Sequence, residues 1–117
     1  MRPGRYIHKG IQKSITAIGR QFVVGTQYKA ALYNPKDRTK KIVATAVCIE
    51  EDDKKKIPFV WTGEQTDMLK VGYATIEIYD NAQTRMFVRD NYAVVRINSL
   101  PITEVASVDT LEEEGES

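Results

Sequence analysis

Gly72-Tyr73-Ala74-Thr75-Ile76-Glu77-Ile78-Tyr79-Asp80 is the clearest strand in the chain. Ala74, Ile76 and Ile78 fall on one side of an extended backbone, while Tyr73, Thr75, Glu77 and Tyr79 fall on the other. A period of two with β-branched and aromatic residues marks a strand with one apolar face. Gly72 opens it, and Asp80-Asn81-Ala82-Gln83 closes it with turn chemistry.

Working outward, the same grammar repeats. Residues 84–89 and 92–98 read as two further strands separated by a turn at Asp90-Asn91. Upstream, 57–61 is a strand in which Pro58 cannot donate to a ladder, so it is expected at an edge or beginning at Pro58. Phe59 and Trp61 share one face of it, the core side. Residues 62–70 lack a β pattern and suggest one helical turn, with Met68 and Leu69 inward. The apolar run 41–49 is expected to be a central strand covered on both faces, with Cys48 as a small buried hydrophobe. Glu50-Glu51-Asp52-Asp53-Lys54-Lys55-Lys56 reads as an exposed hairpin tip, and Asn34-Pro35-Lys36-Asp37 as a turn. Residues 22–24 and 27–33 supply the first strands of the body. Short strands with turn signals every 8–12 residues predict an all-β fold, an antiparallel β-sandwich or small barrel.

Charge divides the chain further. The net charge is +1, yet all 17 Lys and Arg lie at or before Arg96. The chain up to Asn98 carries ten acids, for a net +7, and the six remaining acids lie beyond it. Residues 1–20 hold Arg2, Arg5, Lys9, Lys13 and Arg20 and no acid. The expected organisation is an extended basic arm (1–20, with one short strand near 13–18), a β-domain (21–100) and an acidic tail (101–117). In the tail, Val105, Val108 and Leu111 offer an apolar docking stripe on a short helix or an extended segment.

The residues imply little chemistry. One His and one Cys cannot build a closed zinc site, and no GxGxxG or GxxxxGK[ST] loop occurs. His8 stands beside Lys9 in the arm and reads as a surface residue. No cofactor, metal or catalytic residue is expected, and the chain is expected not to be an enzyme. Composition is that of a globular protein, at 42% hydrophobic and 28% charged. No apolar run approaches the roughly 20 residues that span a bilayer, and no signal segment follows the basic start.

Two binding readings remain. In the first, arm, body and tail make a module that assembles with copies or neighbours through charge and strand edges. In the second, Tyr28, Tyr33, Phe59, Trp61, Tyr73 and Tyr79 among Lys29, Lys36, Arg38, Lys40 and Lys41 form a stacking platform for single-stranded nucleic acid on a small barrel. Ordinary core packing of those aromatics is favoured over the platform.

Trp61, the spacer ending Met68-Leu69-Lys70-Val71, the Gly72-Tyr73 strand, Phe87 and Ala93-Val94-Val95-Arg96-Ile97 together resemble the small Ig-like β-sandwich modules of tailed-phage virion proteins. Such modules occur at head-fibre bases, in capsid decoration proteins and in upper baseplates. The resemblance covers about two-thirds of the chain, residues 22–100. It implies an Ig-like sandwich in a virion component made in the host cytoplasm, either a small head fibre or decoration protein or a tail, baseplate or connector part. Its partners would be capsid or other virion proteins and further copies of itself, as a dimer or trimer. Arg2, Arg5, Lys9 and Lys13 would then dock along a neighbouring subunit, and Trp61, Tyr73 and Phe87 would be core or interface aromatics. The Tyr73 ring is expected to pack with its hydroxyl reaching backbone. On this reading, removing residues 1–20 abolishes incorporation but leaves the body folded.

Overall fold

The structure, a computed structural model, describes residues 6–96 and 108–113. The fold is all-β, with nine strands and one short helix among those residues: β1 Tyr6–His8, β2 Lys13–Gly19, β3 Gln27–Asn34, β4 Asp37–Val47, β5 Ile49–Glu51, β6 Lys54–Trp61, α1 Gly63–Asp67, β7 Gly72–Asp80, β8 Met86–Arg96 and β9 Val108–Glu113. They form a five-stranded sheet, β1-β8-β7-β3-β4, and a four-stranded sheet, β5-β6-β2-β9. Most neighbours are antiparallel. The exceptions are β1 beside β8 and β9 beside β2, both parallel.

One core lies between the sheets. Ala30, Leu32, Ile42, Ala74, Ile76 and Ile78 come from the larger sheet, and Ile15, Ala17, Ile57, Phe59 and Trp61 from the smaller. The period-two prediction holds in detail for β6, where Phe59 and Trp61 are fully buried and Val60 between them is 47% exposed. Trp61 also donates its indole N–H to the Ile42 carbonyl at 3.1 Å, tying β6 to β4 across the two sheets. Cys48 is buried in this core, and burial pushes its thiol pKa up.

Residues 6–19, expected within an extended arm, are part of the body. β2 pairs with β6 on one flank and β9 on the other, and Ile15 and Ala17 are buried. Its alternation is Ile15/Ala17 against Ser14/Thr16/Ile18, with small or polar residues diluting the apolar signal. Thr66, fully buried in α1, fastens the β1–β2 turn. Its hydroxyl accepts from the Gly10 N–H at 3.1 Å and lies 2.9 Å from the Ile11 carbonyl. Gly10 itself needs its left-handed φ of 84°, and Gly63 lies so close that a Cβ there would sit 2.5 Å from the Gly10 carbonyl oxygen.

Three other expectations change. The run 41–49 is not a central strand, because β4 ends at Val47 and forms an edge, with Val43 and Val47 facing out. Its near-continuous apolar character came from exposed valines rather than double burial. The two closing strands are one, β8, and Asp90 and Asn91 pair with Ile76 and Thr75 of β7 rather than forming a turn. Its register against β7 slips twice, leaving Tyr92 and Phe87 as extra residues. Tyr92 is fully buried, and Phe87 packs edge-on against Phe22 and Tyr28, with ring centroids at 5.8 and 5.6 Å. In the helical turn Leu69 is buried as expected, but Met68 is 58% exposed.

Other turns match their residues. Asp52 and Asp53 both take positive φ, as a two-residue hairpin turn requires, joining β5 to β6. Pro58 lies where β6 has β2 beside it but no β5 partner, so its missing N–H breaks no ladder. The Asp80 carboxylate accepts from the Thr84 and Arg85 N–H groups at 2.7 and 3.1 Å and so closes the β7–β8 turn.

Two outcomes follow from this placement of β2. Deleting residues 1–20 should abolish the cooperative urea transition rather than leave a folded body, and a truncated chain with a wild-type transition would contradict the topology. Thr66→Val, which strands the Gly10 N–H, should cost about 2 kcal/mol, read as a lower urea midpoint with unchanged slope.

Candidate functional site

The outer face of the larger sheet carries the densest polar cluster among the described residues. Its centre is Glu77, on the middle strand β7 and only 3% exposed. The alternation that turns Ile76 and Ile78 into the core turns Glu77 outward, where neighbouring strands cover it. From β3, the Tyr33 hydroxyl donates to Glu77 Oε2 at 2.6 Å. From β7 itself, the Tyr79 hydroxyl donates to Oε1. Lys41 of β4 places Nζ 3.4 Å from Oε1, and Arg89 of β8 places Nε 3.5 Å from Oε2. Four strands thus converge on one carboxylate.

Burial pushes the Glu77 carboxyl pKa up, but hydrogen bonds from Tyr33 and Tyr79 and the charge of Lys41 outweigh it. The net shift is below the ordinary glutamate value. Burial, with the Glu77 hydrogen bond and charge, raises both phenols, Tyr79 to about 12. Near neutral pH the carboxylate is therefore charged and the phenols protonated. None of the three titrates there, so the cluster is built to hold a charge rather than to move a proton.

Beside this network lies a cleft of about 280 Å³ lined by Tyr33, Pro35, Arg38, Thr75, Arg89 and Asp90. Lys41 and Arg38 both sit over the Tyr33 ring, at 4.8 and 6.0 Å from its centroid. At the same end of the sheet, Asn34 is anchored on the α1–β7 connection. It donates to the Lys70 and Tyr73 carbonyls at 2.8 and 3.0 Å and accepts from the Lys70 N–H at 2.8 Å. The cleft is thus lined by β3, β4, β7 and β8 and by the β3–β4 turn. Its chemistry suits a small polar or anionic group, and among the described residues no group of three His, Cys, Asp or Glu is placed to hold a metal ion.

The residues singled out from sequence do not gather here. Arg2 and Arg5 lie outside the described residues. Lys9 folds back, its Nζ donating to the Asp67 carbonyl at 2.5 Å and to the Leu69 carbonyl. Lys13 is 6% exposed and donates to the Tyr6 carbonyl at 3.1 Å. Neither of these lysines is extended toward a neighbour, because each satisfies carbonyls where the chain enters the body. Trp61 is core, and Phe87 is half-buried at its margin. Tyr73 is 61% exposed, contrary to the expectation that its ring packs. A tyrosine whose hydroxyl does meet backbone is Tyr28, which accepts from the Val23 N–H at 2.9 Å.

Of the six aromatics considered for a stacking platform, Tyr28, Tyr33, Phe59 and Trp61 are buried, and only Tyr73 is widely exposed. His8 is half-buried, with its ring 6.3 Å from that of Tyr6. Glu77 was the residue that sequence reasoning passed over. Its signal was present as an acid between Tyr79 and the Thr75/Tyr73 face of the strongest strand.

The chain matches no family model, and no curated protein or solved structure is significantly similar to it. No helix among the described residues is long and apolar enough to cross a membrane.

The Glu77 pKa is depressed in the folded state, so its contribution to stability is present above the unfolded value, about 4.3. It is lost as pH falls through the lower folded value. Urea midpoints should therefore drop below about pH 4 in the wild type. Glu77→Gln should lose on the order of 2 kcal/mol at pH 7, where Lys41 and Arg89 are left uncompensated, and should flatten that acid limb. An unchanged limb in the variant would remove Glu77 from this role.

Proposed function

We propose that this chain is a structural module of a virion, a small head-fibre or capsid-decoration component that docks on a particle and self-associates. A tail, baseplate or connector position is the alternative within the same class. The role involves binding and assembly, with no bond chemistry.

Strand order supports the Ig-like part of this reading. In a variable-type Ig domain an initial strand segment lies beside the last strand, and the fold's second edge strand joins the same sheet. Here β1-β8-β7-β3-β4 faces β5-β6-β2, and a helical turn stands between the two strands that correspond to E and F.

The observation that carries the assembly reading is apolar exposure at both ends of the molecule. At one end, the hydrogen bonds Gly25 N–H to Cys48 O (2.8 Å) and Cys48 N–H to Thr26 O (2.9 Å) run the β2–β3 connection beside the β4–β5 bend. Val23, Val24, Val47 and Ile49 are 58, 46, 46 and 44% exposed there. At the other end of β3, Met68, Val71 and Tyr73 are 58, 59 and 61% exposed. Single exposed apolar side chains are ordinary, but gathered ones mark contact surfaces. Two unlike patches at opposite ends suit heterologous contacts, which close into rings or attach a copy to a different neighbour. The arm's docking role narrows to residues 1–5, since Lys9 and Lys13 are used internally.

Light scattering on the purified chain should report a discrete oligomer that ignores a single-stranded oligonucleotide at low and high salt. Val24→Asp with Tyr73→Asp should yield a monomer whose thermal midpoint stays within a few degrees of wild type, as surface changes usually do. A wild-type monomer that shifts with oligonucleotide at low salt would replace this reading with nucleic-acid binding.

A further inference from the structure

The parallel pairing of β1 with β8 brings the C-terminal ends of these two strands to one corner. His8 lies opposite Arg96, and the Lys9 N–H donates to the Arg96 carbonyl at 2.9 Å. From that corner the chain crosses to the smaller sheet twice. Residues 9–12 make the first crossing, four residues ending at Lys13. Between Arg96 and Val108, which lies opposite Ser14, the sequence holds eleven residues, 97–107. The residues that flank the two stretches adjoin at both ends, Lys9 beside Arg96 and Ser14 beside Val108, yet the second stretch has seven residues more than the first. Extended, eleven residues reach roughly 35 Å, close to the 37 Å longest dimension of the molecule.

β9 is also an addition to the Ig-like order. It is hydrogen-bonded to β2 alone among the strands, in a slot that an Ig-like fold gives to its first strand. Here β1 joins β8 instead, which opens that flank of β2. The flank is a strand-acceptor edge with a six-residue register, Ser14 to Gly19 against Val108 to Glu113.

We infer that in the assembled protein this edge receives β9 of a second copy. The inference rests on the assembly reading: contacts through the apolar ends hold the copies together, and exchange of β9 adds to them. The same six register pairs form whether the strand is the chain's own or a neighbour's, so exchange sacrifices no pairing. The surplus linker gives the reach. Charge favours the partner being another copy, because Asp109, Glu112, Glu113, Glu114 and Glu116 travel with the strand onto a body of net +7. At the local concentration of an assembly, the association cost falls. Reciprocal exchange closes a dimer, and cyclic exchange a trimer.

The test uses full-length copies in a Cys48→Ala background. Thr16 and Thr110 are direct register partners on adjacent strands, within disulfide reach. One copy carries Thr16→Cys and a size tag, and the other carries Thr110→Cys. They are mixed at high concentration, oxidised and run on a non-reducing gel. The expected result is a Thr16–Thr110 heterodimer in about tenfold excess over either homodimer. No heterodimer, together with an intrachain disulfide in the Thr16→Cys/Thr110→Cys double variant, overturns the exchange. A double variant that forms no disulfide overturns it too, since β9 then does not lie at this register in either mode. An oligomer seen by light scattering without the heterodimer leaves the assembly reading standing and removes only the exchange.

Discussion

The hydrogen-bonded ladders on both flanks of β2 are the constraint on which the molecule depends. β2 joins β6, which carries Ile57, Phe59 and Trp61 into the core, to β9 at the sheet edge. Its own Ile15 and Ala17 complete that core. Each large apolar side chain buried in this layer contributes about 1.5–3 kcal/mol. Total stability of a small domain is itself only about 5–15 kcal/mol. A strand that closes one wall of the core is therefore indispensable. The Thr66 hydroxyl and the Lys9 ammonium then fix where the chain enters it, by satisfying backbone groups of the β1–β2 turn and the end of α1.

The opposite sheet is stabilised by another means. Its outer face buries a carboxylate, and a buried charge is tolerable only when compensated by close partners. Tyr33, Tyr79, Lys41 and Arg89 provide them from four strands, so the network also locks the strand order β8-β7-β3-β4. That face is committed to internal satisfaction apart from the small cleft beside it. Among the exposed apolar residues, Val23, Val24, Val47 and Ile49 gather at one end of β3 and Met68, Val71 and Tyr73 at the other, and the assembly proposal draws on them.

Much of the fold was legible in the sequence wherever alternation was sharp. β7 and β6 announced their faces, and Asp80, Asn34 and the Asp52-Asp53 pair announced turns. Legibility failed where composition concealed geometry. β2 looked like an arm because its inward residues, Lys13, Ile15 and Ala17, are a charge, one large apolar residue and a small one. β4 looked central because exposed valines imitate buried ones. In β8, Asp90-Asn91 carries turn residues, but both stay in the ladder with β7, and the irregularity falls beside them at Tyr92. The Glu77 site was not foreseen because its members are spread over residues 33–89 and meet only through sheet pairing. The apolar spacing of Val108 and Leu111 allowed a docked helix or extended segment in the acidic tail, but that it forms a strand, β9, is decided by the β2 edge that offers it hydrogen bonds.

Inclusion of the N-terminal strand in the body is the claim from which the topology, the β2 flank that β9 fills and the assembly model all descend. Native-state amide hydrogen exchange tests it residue by residue. The account predicts that the Ile15 and Ala17 amides exchange only through global unfolding, as slowly as those of Ile76 and Ile78. Exchange of the β2 amides at unstructured-peptide rates while β7 stays protected would contradict it and return residues 1–20 to the status of an arm.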